Sequence, residues 1–119
     1  MQNFRDLVVW QKAHAFTLRI YQSTRSFPRE ELYGVVSQLR RAAASIPTNI
    51  AEGCGRPSQV EFGRFLGIAF SSACESEYLL LLSLDLGYLE SSTHQALFGD
   101  VCEAKRMLQG LLKKLKADS

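Results

Sequence analysis

The sequence predicts an all-α protein, an antiparallel up-and-down four-helix bundle that self-associates, built as one domain over residues 1–119. Three observations carry this. Apolar residues recur at alternating steps of three and four over long stretches, the pattern of amphipathic helices packed side by side. Strand-like alternation, internal repeats and low-complexity tracts are lacking. Proline, glycine and Ser/Thr cap signals divide the chain into helices over roughly 6–26, 29–53, 58–86 and 92–117, with the short connections of a bundle of antiparallel neighbours.

The first helix begins near Asp6, with Asn3 or Asp6 supplying the cap oxygen. Leu7, Trp10, His14, Thr17, Tyr21 and Thr24 step by 3, 4, 3, 4 and 3, and Ala13, Phe16 and Ile20 widen the stripe. Pro28 ends it, because the residue before a proline is pushed out of the α region. The second helix opens on "PREE", with proline at a position that needs no donor and Glu30 and Glu31 at the positive end of the dipole. Its seam is Leu32, Val36, Leu39, Ala43, Ile46 and Ile50. The seam stays in phase across Pro47, so the proline is expected to kink the helix without ending it, with Ser45 or Thr48 occupying the backbone groups it disturbs. Gly53 and Gly55 close the helix, leaving Arg56 at a corner beside Glu52.

The third helix is announced by "SQVE" (Ser58 to Glu61), a capping box, and is stopped by Gly87. Gly67, Ala69, Ser71, Ser72, Ala73, Cys74 and Ser76 are small, which suits close helix approach. "YLLLL", Tyr78 to Leu82, is apolar on every side, so it is expected to be buried on more than one face. A chain of 119 residues has trouble covering it alone, which is the reason to expect an oligomer. Leu79, Leu80, Leu82, Ser72 and Glu75 are the candidate packing positions, within the bundle or between subunits. The fourth helix follows "ESSTHQ", read as a second capping box between Ser92 and Gln95. Leu97, Val101, Ala104, Leu108, Leu111 and Leu115 form its seam.

Composition narrows the function. No basic start leads into an apolar leader segment, and the longest apolar run is far short of the ~20 residues of a membrane span. Cys54, Cys74 and Cys102 are odd in number and lack C-x-x-C spacing, so they read as small hydrophobes in a reducing cytoplasm, without disulfide or zinc. The net charge is +2, but it is unevenly spread: +4 over residues 1–60, −6 over 61–103 and +4 over 104–119. Such asymmetry fits a basic face for nucleic acid, and equally fits helices that complement one another in an oligomer.

Catalysis finds little support. His14 and His94 lie on different helices with no nucleophile beside them. Glu75 and Glu77 are two apart, pointing roughly 200° away from each other on a helix. The Glu-x-x-His pairs of di-iron bundles are missing, so no metal or other cofactor is expected. Two readings of Glu75 and Glu77 remain: ion pairs with Arg40, Arg41 or a neighbouring subunit, or a polar device that fixes assembly register. Trp10, Phe16, Tyr21, Phe27 and Tyr33 stand at helical spacing and are assigned to the core. The candidate nucleic-acid contacts are Arg40, Arg41, Arg56, Arg64, Lys113 and Lys114, with Lys105, Arg106 and Lys116 beside them. Guanidinium forks suit phosphate, and several such contacts give a salt-sensitive affinity.

The segments "FRDLVVWQKA", "IYQSTRSFPREELYGVVSQLRRAAASIPTNIAEG", "FLGIAFSSACESEYLL", "LGYL" and "RMLQGLLKKL" cover nearly the whole chain. In that order they resemble the four-helix-bundle proteins encoded in intervening sequences of bacterial 23S rRNA genes. The resemblance implies ring-shaped homopentamers. It also implies kinship with the accessory variability determinant of diversity-generating retroelements, a similar fold that engages nucleic acid and a reverse transcriptase through basic surface. The expectation is a non-enzymatic oligomeric scaffold or adaptor associated with RNA, ribosomal or intervening-sequence, with no membrane. The alternative is a structural or protein-interaction module with no nucleic-acid role.

Overall fold

The computed structural model describes residues 2–118 and consists of four helices without strands among them. They are α1 (Val8–Ser23), α2 (Val35–Cys54), α3 (Gln59–Asp85) and α4 (Ser91–Ala117). The molecule measures 46 × 22 × 20 Å. The 27 residues of α3 and of α4 alone span about 40 Å of that length at 1.5 Å each. Packing runs in chain order around the bundle, α1 on α2, α2 on α3 and α3 on α4, and closes with α4 on α1. α1 and α3 therefore run one way, α2 and α4 the other.

The core is a column of Phe16, Ile20, Leu39, Ile46, Ile50, Leu66, Leu80, Val101 and Leu108, all fully enclosed. In α1 the buried face is Val9, Ala13, Phe16, Thr17 and Ile20, rotated by about one residue from the expected centre of the stripe. Trp10 is left half-buried and His14 and Tyr21 exposed; Trp10 and His14 stack on one another at 4.9 Å, with Phe4 edge-on to the indole. Tyr33 is the clearest departure from the expected core, 92% exposed.

The second helix starts later than predicted. Arg29–Glu31 form only a 3-10 turn, and α2 begins at Val35. Glu31 is the reason. Its Oε1 accepts from the Val35 N–H at 3.4 Å, capping the helix, and its Oε2 accepts from the Tyr88 hydroxyl at 2.8 Å. Leu32 falls in the turn, off the seam, and is exposed. Further along, Pro47 lies inside α2 as expected. It removes the amide that would bond the Ala43 carbonyl. The replacement comes from another helix: the Thr17 hydroxyl of α1 lies 3.1 Å from the Ala43 oxygen and 2.9 Å from Ala13 O. Ser45 and Thr48 do not take that role; Thr48 donates to Ala44 O, and Asn49 donates to Ser45 O.

α2 and α3 make the most extensive contact in the bundle, which explains the small residues. Ser72 is buried and its hydroxyl meets that of Ser45 at 2.8 Å, while Ser76 and Ser83 donate back to carbonyls of their own helix. Gly53 stands where α3 crosses closest: a methyl there would lie 2.9 Å from Phe65 Cβ. α3 is capped by the Ser58 hydroxyl, which accepts from the Glu61 N–H. It ends in a Schellman turn, with Gly87 at φ 81° and bonds from Tyr88 N to Ser83 O and from Gly87 N to Leu84 O. α4, by contrast, starts at Ser91 with Glu90 before it and no side-chain cap, so Ser92 lies inside the helix instead of capping it.

"YLLLL" is only partly enclosed. Leu79 and Leu80 are buried and Leu82 half-buried, but Tyr78 is 59% and Leu81 47% exposed. By length and composition α3 also passes as a membrane span, with mean hydropathy 1.3 over its most apolar window. Here it is the core helix, and 44% of that window is buried against its neighbours.

Candidate nucleic-acid interface

The antiparallel topology brings the start of α3 and the ends of α2 and α4 to one end of the bundle. The 55–58 joint is short and held at both sides. Gly55 N and Arg56 N bond back to Glu52 O and Gly53 O, and Ser58 caps the next helix. Arg56 thus projects from a corner of fixed geometry. Its guanidinium lies over the ring of Phe65, 4.7 Å from the centroid, and that of Arg64 lies over the same ring at 4.7 Å. Phe65 is itself buried, pressed against Gly53, so the platform is rigid. Among the described residues neither arginine has an acidic partner, Glu52 included. A ring face holds a guanidinium by cation–π attraction and leaves its N–H edge open to donate to phosphate.

At the same end a groove of about 630 Å³ runs between α3 and α4. Val60, Gly63, Leu112 and Leu115 give it apolar walls, and Lys113 and Lys116 line it too. Lys113 and Lys114 are exposed on the last turns of α4, where the helix dipole favours cations.

Arg106 is exposed without an acidic partner among the described residues, but Arg40, Arg41 and Lys105 are engaged. Arg41 pairs with Glu75 at 2.9 Å. Arg40 does not pair with either glutamate. Its Nε donates to the Thr24 hydroxyl at 2.9 Å, Nη2 donates to Tyr21 O at 3.3 Å, and the guanidinium lies over the Tyr21 ring. Glu77 pairs instead with Lys105 at 2.8 Å; this hydrogen bond holds the Lys105 ammonium above its ordinary pKa. The six predicted contacts therefore do not share one surface. Arg40 and Arg41 lie towards the opposite end of α2 from Arg56, engaged within the fold. The residue that sequence reasoning missed is Phe65. Its signal was the aromatic directly after Arg64.

Among the described residues there is no cluster of His, Cys, Asp and Glu able to hold a metal, and the three cysteines are free thiols. Burial pushes the Cys54 thiol pKa up, which makes it a poor nucleophile.

A profile of the 23S rRNA-intervening sequence protein family matches residues 5–110. The chain belongs to that family. As a 23S rRNA-intervening sequence protein it is similar in structure to a protein of unknown function from the S23 ribosomal protein family of Bacteroides thetaiotaomicron. The two share 28% identity and superpose with a TM-score of 0.83, over 89% of this chain and 96% of the other. No curated protein matches.

Proposed function

We propose that this 23S rRNA-intervening sequence protein is a non-enzymatic, self-associating scaffold of the cytoplasm that holds structured RNA, ribosomal or intervening-sequence, through its phosphates. The observation that carries the reading is the pair of guanidiniums on Phe65 with no carboxylate to neutralise them, joined by Lys113 and Lys114 at the same end. The family's description supports RNA as the source of those phosphates. Four such contacts give a slope of about −3 to −4 in log K against log salt, between the single-strand and duplex limits. Repetition in an oligomer raises the avidity further without any new contact. Fluorescence anisotropy with a structured rRNA fragment tests this: binding at low salt that collapses as salt rises upholds it, and no binding at low salt overturns it.

Self-association has its own support. Tyr78, Leu81 and Phe98 are exposed on neighbouring helices and, with Cys74 and His94, line a groove of about 330 Å³. The His94 Nε2 there is buried without a hydrogen-bond partner. A cluster of exposed apolar side chains of this kind, edged by Glu77 and Lys105, supports an interface here. The same patch favours the second reading, a module that recruits a protein. Light scattering at micromolar protein decides the first point: a mass near 13.3 kDa is the monomer and overturns self-association. A protein partner retained through nuclease treatment and high salt favours the second reading.

A further inference from the structure

We propose that the corner between α1 and α2, at the opposite end of the bundle from Arg56 and Arg64, is a separate binding site for a nucleoside 5′-monophosphate. A cavity of about 390 Å³ opens there, within the range of small-molecule sites. Arg25, Arg29 and Arg40 all line it, and none of its lining residues is acidic. Of the two carboxylates that follow Arg29 in the chain, Glu31 is committed to the Val35 amide and the Tyr88 hydroxyl, and Glu30 is exposed and pairs with none of the three arginines. The side chains of Arg25 and Arg29 have no hydrogen bond or ion pair to any described residue. Three guanidiniums around one cavity repel one another, and among the described residues no ion pair offsets them. A dianionic phosphate does so, and each guanidinium offers it a planar fork of donors.

Arg40 is already positioned for this. Two of its nitrogens are held by Thr24 and Tyr21 O, and Thr24 is buried and in turn bonded to Ile20 O. The side chain therefore loses little freedom on binding, which is the main cost of recruiting a long cation. The exposed arginines form the rim; Phe27 and Val36 are buried and, with Pro28, form an apolar floor. An inorganic anion has no use for that floor. A flat nucleobase does, through apolar contact with Pro28 and the exposed Leu32 above the buried Phe27 and Val36. The shared chemistry is a terminal phosphate on a nucleoside, whether free or at the 5′ end of an RNA strand. The site stands or falls independently of the RNA-binding proposal.

Isothermal titration with adenosine 5′-monophosphate, adenosine and inorganic phosphate tests it. The monophosphate is expected to bind more tightly than either fragment. Arg25→Gln with Arg29→Gln is expected to weaken it about ten-fold or more, because each charge-assisted hydrogen bond lost is worth about that factor. Leu32→Glu, at a position exposed on the cavity wall, places a carboxylate in the site and should abolish binding. Circular dichroism confirms that these surface variants remain folded. Arg56→Gln with Arg64→Gln should bind the monophosphate as the parent does. Absence of binding, equal affinity for inorganic phosphate, or indifference to the Arg25 and Arg29 changes each overturns the proposal, as does loss in the Arg56 and Arg64 variant. Comparing short RNAs with 5′-phosphate and 5′-hydroxyl ends identifies the source: a preference for the phosphate assigns the site to strand ends, and none assigns it to free nucleotides.

Discussion

Thr17→Val tests how the bundle accommodates a proline in the middle of α2. Valine matches threonine in shape, so packing against the neighbouring helix is kept while the hydroxyl is lost. The Ala43 carbonyl then has no donor: Pro47 cannot provide one, and Ala43 is completely buried, beyond the reach of solvent. The Ala13 carbonyl is unaffected in kind, since its intrahelical amide partner remains. A buried acceptor left unpaired costs about 1–3 kcal/mol, so Thr17→Val should lower stability by that amount. Urea unfolding followed at 222 nm, at fixed protein concentration, reads this as a lower midpoint with an unchanged slope. The diagnostic step is a double-mutant cycle. Pro47→Ala restores an amide to Ala43, so Thr17→Val in that background should cost much less. A Thr17→Val cost below about 0.5 kcal/mol, or the same cost with and without Pro47, refutes the reasoning.

Other perturbations have equally direct outcomes. Gly53→Ala places a methyl 2.9 Å from Phe65 Cβ and 3.0 Å from Phe62 Cδ1, so it should destabilise by about 1–3 kcal/mol through overpacking and displace the Phe65 platform. Gly67→Ala meets nothing within 4 Å and should stabilise by about 0.5–1 kcal/mol, measured by the same unfolding. Arg41→Ala breaks only a surface ion pair and should change stability by less than about 1 kcal/mol. Tyr88 carries a pH signature. Its hydrogen bond to Glu31 raises its phenol pKa, with burial adding to the effect, so the neutral form is favoured in the fold. That contribution is complete below about pH 10 and disappears as the pH rises through the elevated folded value. The Lys105 pKa is also raised and its contribution is lost in the same window, so Tyr88→Phe should lessen the alkaline loss without removing it; a thermal-melt series from pH 8 to 11 with an unchanged loss in the variant contradicts the assignment.

Much of the architecture could be read from the chain because it rests on periodicity and local caps. Val36, Leu39, Ala43, Ile46 and Ile50 are all enclosed, and Ser58 and Gly87 cap and stop α3 by local chemistry. The failures trace to partners distant in sequence. "PREE" has every local mark of a helix start, yet Glu31 bonds Tyr88, 57 residues away, and α2 begins beyond it. Thr17 completes a carbonyl 26 residues away, where only nearby hydroxyls were considered. The candidate contacts failed to coincide for the same reason. Arg40 and Arg41 are adjacent to one another and look like a basic pair, but Thr24 and Tyr21 hold Arg40 against α1 and Glu75 pairs with Arg41 at the surface of α3. Arg56 and Arg64 look unrelated until Phe65 gathers them.

The central claim is that RNA is held by the cations the fold leaves without acidic partners, while those it engages contribute little. The most direct measurement is the salt dependence of rRNA-fragment binding for the parent, Arg56→Gln with Arg64→Gln, and Arg41→Gln. The account predicts that the Arg56 and Arg64 variant binds more weakly at every salt concentration, with a slope shallower by about 1.4, and that Arg41→Gln follows the parent. Equal slopes for all three proteins, or the larger loss in Arg41→Gln, would contradict it.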